Sequence, residues 1–232
     1  MTYAIATVLC GGPGLKLPER DYPPIFRVSN TTNVISPCQA YWRIHQRVLA
    51  DVIIYIHDDV TIHDADWIDR IMEVFEEHPP AVAVGLGGAT KLGSDDLLRK
   101  PYDIRNMARS GYASNQTDAE VHGEQFTGVR RVAVLDAFCM AVNRRWLECR
   151  GGWPTSKLTH HCLDLWLACE AARDNKDIYM VGASCTHHGG GSSTKEGYAK
   201  ARWLQGGTLE SDHQRPHEWL YREYKDVLPI EV

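Results

Sequence analysis

Excess basic charge, long apolar runs, paired cysteine motifs and repeats are all missing from this chain. Lysine and arginine number 25 against 30 aspartates and glutamates, a formal net charge of -5. That leaves no global basic field to hold a polyanionic backbone, so nucleic acid is not the favoured partner. No apolar stretch approaches the roughly 20 residues that a membrane span needs. Residues 1 to 10 carry no basic segment ahead of their apolar run, so they read as a strand rather than a secretion signal. The 7 cysteines include no Cys-x-x-Cys pair, and several sit inside apolar runs, as in Phe138-Cys139-Met140. Packed, reduced thiols explain that pattern better than disulfides or a structural zinc site. Together these absences predict a cytoplasmic protein. No repeat, low-complexity tract or linker divides the 232 residues, which predicts one domain around one substantial core.

What is present is an alternation of apolar runs and amphipathic stretches. Residues 4 to 10 read as a strand, followed by the turn Gly11-Gly12-Pro13-Gly14, which lacks the spacing of a P-loop. Residues 25 to 28 read as a second strand. Ser36-Pro37 then opens a helix, with Ser36 as N-cap and Pro37 at the first helical position, running to about Leu49. Residues 52 to 56 form a third strand. Asp64 is expected to cap a helix whose apolar stripe is Ile68, Ile71, Met72 and Phe75. Residues 81 to 86 make a further strand. This order predicts an α/β fold: a mostly parallel central sheet, right-handed crossovers and flanking helices in a single domain.

Residues 87 to 128 lose the periodicity and carry Gly87, Gly88, Gly93 and Gly111. They are expected to form a long irregular loop that orders over a bound ligand. Two apolar runs, 131 to 135 and 138 to 142, then flank Asp136. Short helices are expected over 144 to 149 and 163 to 172, a strand over 178 to 181, and a last helix over 216 to 225 with Pro216 near its start.

Polar groups interrupt the apolar runs in three places. His57-Asp58-Asp59 ends the third strand, and ligands of α/β sheets bind outside the carboxyl ends of the strands. One or two carboxylates there, helped by ligand phosphates, suit Mg2+ or Mn2+. His160-His161-Cys162-Leu163-Asp164 opens a helix. His187-His188 precedes Gly189-Gly190-Gly191, where glycine lets the backbone approach a diphosphate. Each place has a plainer reading as well. Aspartate is common in turns, Asp164 complements a helix dipole, and a histidine pair suits a polar loop.

The order of these motifs resembles the GT-A nucleotide-sugar glycosyltransferases, in particular the small family-2-like ones, over roughly residues 4 to 193. Ile25-Phe26-Arg27-Val28-Ser29-Asn30 resembles the strand whose end reaches the nucleotide base. Residues 52 to 60 resemble the strand bearing the metal-binding acidic motif. Leu135-Asp136-Ala137, Gly151-Gly152-Trp153, Leu163-Asp164-Leu165-Trp166-Leu167 and Thr186-His187-His188-Gly189-Gly190-Gly191-Ser192 follow in the family's order.

The resemblance implies transfer of a sugar, with inversion, from a UDP- or GDP-sugar to an acceptor hydroxyl that the sequence does not name. It implies Mn2+ or Mg2+ held by Asp59 with His187 or His188, and donor contacts from Asn30, Asp58, Gly189 and Gly190. Asp164 would be the base, with Asp136 beside it and His161 and His160 as its substitutes. Residues 194 to 232 would form a helical tail on the core. Three positions depart from the pattern: His57 replaces the first acid of the metal motif, Ala137 replaces glycine, and His161-Cys162 stand where an acid precedes the Asp-Leu pair. These departures leave open a nucleotidyltransferase or metal-dependent hydrolase on a similar sheet, or an inactive domain that binds nucleotide or glycan.

Overall fold

The computed structural model describes residues 1–32, 34–93, 109–117, 123–189 and 209–232. In chain order the elements are β1 (Tyr3–Leu9), β2 (Phe26–Ser29), α1 (Pro37–Arg47), β3 (Val52–Ile56), β4 (Val60–Ile62), α2 (Trp67–Glu77), β5 (Ala81–Gly85), β6 (Gly87–Leu92) and β7 (Arg109–Ser114). There follow β8 (Val129–Val132), β9 (Val134–Leu135), β10 (Cys139–Asn143), α3 (Arg144–Cys149), α4 (Leu163–Arg173), β11 (Asp177–Val181), β12 (Cys185–His187), α5 (Leu209–Tyr224) and β13 (Ile230–Glu231).

β3 is apolar at every position because both of its faces are covered, the situation of a central strand in an α/β sheet. Its alternate residues go to different cores. Ile53 and Tyr55 pack on the side of α1 and α4, while Val52, Ile54 and Ile56 pack on the side of α2. Burying each side chain of this size contributes about 1.5–3 kcal/mol, so β3 firmly anchors the residues that leave its end. The central sheet runs β2-β1-β3-β10-β5-β11-β8. β1, β2, β3, β5 and β11 point one way, as the α/β alternation predicts, and helices flank the sheet. β10 and β8 oppose them. β10 lies between β3 and β5, and its lead-in is tied to the end of β3 by the bond from His57 N to Phe138 O, 2.9 Å.

α1 starts as its sequence dictates. Ser36 Oγ accepts from Gln39 N and the Gln39 side chain accepts from Ser36 N, a closed capping box ahead of Pro37. α2 departs from expectation. It begins at Trp67 after Asp66, and Asp64 is not its cap. Asp64 instead accepts from Ser184 N at 3.0 Å and pairs with Arg70 at 3.3 Å, so its carboxylate ties the approach to β12 onto α2.

The irregular loop expected over 87 to 128 is also corrected. β6 and β7 pair antiparallel from Gly87↔Ser114 to Leu92↔Arg109, and β9 and β13 pair with β6 to complete a second sheet. Residues 94–108 and 118–122, the rest of that expected lid, lie outside the described residues. The last helix starts earlier than expected, and Pro216 falls inside it rather than at its start. Leu220 and Tyr224 of α5 are buried in the core shared with α1 and α4, so the C-terminal helix is an integral wall of the fold. Gly152 has φ +79, and a Cβ there would fall 2.1 Å from the Trp42 ring, so the Gly151-Gly152-Trp153 turn admits only glycine at that position.

Candidate active site

The carboxyl end of β3 delivers His57, Asp58 and Asp59. β4 continues from there and pairs antiparallel with β12, with His187 opposite Val60. Main-chain pairing alone thus returns a residue 130 positions away to the end of β3. His187 Nε2 lies 3.3 Å from Asp59 Oδ1 and 3.4 Å from His57 Nδ1, and His57 Nδ1 is 3.9 Å from Asp59 Oδ1. Among the described residues, these three form the group whose ligand atoms all lie within 4.8 Å of one another.

Electrostatics favour the ligand forms. Burial and the neighbouring His187 hold His57 below the ordinary histidine range, against the pull of Asp59, Asp136 and Asp58. Burial pushes Asp59 up, but its bond to His187 and the two imidazole charges outweigh that and leave it below the ordinary carboxylate range. Asp59 Oδ1 is buried, and beyond its 3.3 Å contact with His187 it has no other hydrogen-bond partner among the described residues, which leaves it capacity for a cation. The set of two imidazoles and a carboxylate fits a divalent transition ion. Gly189 lies against His187, since a Cβ there would meet the imidazole at 3.1 Å.

The neighbours of this group do other work. Asp58 Oδ2 accepts from Cys10 N at 2.7 Å and Gly12 N at 3.2 Å, so Asp58 fastens the turn after β1 to the end of β3. A Cβ on Gly12 would fall 3.1 Å from Asp58 Oδ1, which explains the glycine. His188 points away from the group: its Nε2 meets Thr61 Oγ1 at 2.9 Å and its N–H donates to Asp59 O at 2.8 Å. Asn30 is buried and committed to its own turn, with Nδ2 donating to Ile35 O and Oδ1 accepting from Ile35 N. It does not line the cavity beside the site. Gly190 lies outside the described residues.

That cavity, about 570 Å³, is lined by His57, Asp58 and Asp59 together with Arg109, His161 and Asp164. Its floor is apolar, with Val8, Tyr41, Ile56 and Leu165. Asp164 is buried at the first turn of α4. Its Oδ2 takes a hydrogen bond from Arg109 Nη2 and its Oδ1 one from Leu165 N. Arg109 Nη1 also lies 3.8 Å from Asp136 Oδ2, which accepts from Tyr112 OH at 3.1 Å. Burial pulls the Arg109 guanidinium down, but Asp164, Asp136 and Tyr112 outweigh it and hold the charge more firmly. Asp136 thus stands behind Arg109, and Ala137 next to it lines the cavity. His161 lies at the rim, stacked on His213 with ring centroids 3.4 Å apart. Burial and the histidines around it push its pKa down to about 2, which makes it a feeble proton acceptor.

Two functional groups escaped the sequence. His57 stands where the resemblance has an acid, yet it lies two residues from Asp59 at the strand end and joins the group itself. Arg109 fell in the stretch without periodicity, where no signal marked it.

The His–Asp–His group thus sits at the carboxyl end of β3, where α/β sheets bind their ligands, beside a cavity that the Asp164 carboxylate also lines. The model of the Glycosyltransferase like family matches residues 14–156, more than half of the chain, and the chain belongs to that family; it is a glycosyltransferase domain. No curated protein matches it at the level of sequence. Its fold is similar to that of GalNAc-T7 in a crystal structure with UDP, GalNAc and Mn2+, at a TM-score of 0.54 and 10% identity, over 96% of this chain and 56% of that one. The chain therefore spans little more than half of that protein, and the likeness is one of fold. A mannosyltransferase from Pyrobaculum calidifontis, in complex with GDP-Man and Mn2+, is more distant, at a TM-score of 0.45 and 13% identity over 94% of this chain and 69% of that one. Among the described residues, no helix is long and apolar enough to cross a membrane.

Proposed function

We propose that this chain moves a sugar, with inversion, from a UDP- or GDP-sugar to an acceptor hydroxyl, in a cytoplasmic setting that suits its free cysteines. The observation that carries this reading is the joint placement of the His57–Asp59–His187 group and the Asp164 carboxylate at one cavity. His57, Asp59 and His187 would hold the cation. Two imidazoles favour Mn2+ over Mg2+, which prefers an all-oxygen shell. When bound, the cation neutralises charge on the departing nucleoside diphosphate. The turn after β1, fixed by Asp58, and the backbone at Gly189 lie where a diphosphate would approach.

Asp164 is the base. It opens α4 at the cavity wall, and each of its oxygens keeps a second lone pair beyond its present bond. An acceptor hydroxyl placed at Oδ2 gives up its proton there while its oxygen attacks the sugar carbon from the side opposite the leaving diphosphate. Arg109 holds Asp164 in place, and Asp136 holds Arg109. The apolar floor excludes water that would otherwise compete with the acceptor. We read residues 1 to 232 as one catalytic domain, with α5 forming part of the cavity through His213 and His217.

A thermal-shift screen of nucleoside diphosphates and nucleotide sugars, with and without Mn2+, tests the reading, because a ligand of the native state raises the melting temperature. Metal-dependent stabilisation by one nucleotide, followed by release of a nucleoside diphosphate on turnover, is the expected result. Release of pyrophosphate would make the protein a nucleotidyltransferase, and binding with no turnover of any donor would make it a binding domain.

A further inference from the structure

Tryptophan is unevenly spread over this molecule. Four residues of the 7 in the chain, Trp42 of α1, Trp153 of the turn after α3, Trp166 of α4 and Trp219 of α5, line one cleft of about 490 Å³. Trp153 and Trp166 are buried, with ring centroids 5.6 Å apart, while Trp42 and Trp219 are half-buried. Among the described residues, the indole N–H groups of Trp42 and Trp219 donate to nothing. A concave site with aromatic walls and a few polar groups is the usual build of a small-molecule pocket.

The cleft is separate from the catalytic cavity, although the same three helices serve both. Tyr41, Leu165 and His217 line the cavity, and Trp42, Trp166 and Trp219 line the cleft. Among the described residues, the two spaces have no lining residue in common.

The charges of the cleft cancel. Two cations, Arg150 and Lys157, and two carboxylates, Glu170 and Glu223, line it. Arg150 pairs with Asp174 at 3.0 Å, Glu223 pairs with Arg173 at 3.3 Å, and Glu170 takes a hydrogen bond from the Tyr224 hydroxyl. No net field remains to draw a phosphate or another anion, and an acyl chain would bury these polar groups at a cost. A neutral ligand with an apolar face and many hydroxyls fits both halves of this lining. Pyranose units have that chemistry: their C–H faces lie on indole rings, and their hydroxyls give and take hydrogen bonds.

We propose that the cleft binds a neutral oligosaccharide and so holds a glycan acceptor on the enzyme at a second place. Its role as acceptor rests on the reading of the chain as a sugar transferase; the binding itself rests on the cleft alone.

Calorimetry of the full chain with four neutral hexasaccharides, of the malto, cello, manno and N-acetylchito series, tests this. The expected result is saturable binding of at least one, with or without nucleotide and Mn2+. Asp164→Asn should keep that affinity. Trp219→Ala should lower it about tenfold or more, as loss of a central aromatic contact does, and should keep Mn2+-dependent stabilisation by nucleotide. No binding of any of the four overturns the proposal and leaves sugar transfer standing, as does binding that Trp219→Ala does not weaken. Oligosaccharide binding in a protein that binds no nucleotide keeps the cleft and sinks the transferase reading instead. Should Trp219→Ala fail to fold, hydrogen exchange of the wild type decides. Protection of residues 150 to 157 and 219 to 224 by the sugar supports the site, and protection confined to 57 to 59 and 160 to 165 overturns it.

Discussion

The two functional groups beside the cavity are held by opposite means. At the end of β3, His57, Asp59 and His187 are placed by main-chain ladders: β3 within the central sheet, and β4 against β12. Main-chain pairing brings them together, and Asp59 Oδ1 has His187 Nε2 at 3.3 Å as its neighbour. At the start of α4, Asp164 is held by a side chain. Arg109 reaches it from β7 and is itself steadied by Asp136. Strand pairing sets His57, Asp59 and His187 side by side whatever their side chains do. Side-chain placement satisfies the carboxylate now and lets it exchange partners later.

Substitutions in each group should break this contrast in different observables. The largest effect is expected at Asp164. Asp164→Asn should lower the transfer rate about 100- to 10,000-fold, as removal of a general base does, while calorimetry shows donor affinity unchanged. Near-normal turnover would move the base elsewhere. Asp59→Asn should act on binding instead, with the Mn2+-dependent part of nucleoside-diphosphate affinity falling about 100-fold. A titration with undiminished metal dependence would remove Asp59 from the site.

Arg109→Met sharpens the comparison through stability. It leaves Asp164 buried and unpaired, and should cost about 1–3 kcal/mol in urea unfolding, less than a fully buried pair because Arg109 is partly open to solvent. No loss would show that Asp164 does not depend on it. The smallest effect lies in neither group. His45 on α1 is buried, and burial first, then Arg144, holds it below the ordinary histidine range. The unfolded chain therefore takes up this proton at a higher pH than the folded one. Stability contributed here is intact above about pH 6.5 and declines as pH drops below it. His45→Leu should flatten the fall in melting temperature between about pH 7 and 5. An unchanged slope would assign that fall to other groups.

Much of the first ninety residues was legible because buried strands and amphipathic helices have different periods. β1, β2, β3, β5 and α1 fall where their apolar patterns put them. β4, β6 and β7 did not announce themselves. They are short or rich in glycine and polar residues, and they owe their strand state to partners far along the chain. The same cause hid Arg109, which belongs to β7. Asp64 was misjudged as a helix cap because its partner, Ser184, is distant in sequence. At the site, the polar residues at the end of β3 and before the glycine run lie together, with His187 beside Asp59. That His187 rather than His188 faces Asp59 follows from the β4–β12 register, and its place nearer the strand end is the sign of this in the sequence. Asn30 looked like a donor contact by position, yet its amide is consumed in closing its own turn.

The 130 residues between His57 and His187 also bear on the order of events during folding. Closing so long a segment costs entropy before the β4–β12 ribbon returns any contact energy, and such distant pairings form late. The His57–Asp59–His187 group therefore comes together only late in folding. An ion that binds it would find no template in the denatured protein and would act as a final latch on the folded one. Refolding in the presence of Mn2+ should begin no sooner than without it; the ion should slow only the reverse step, unfolding.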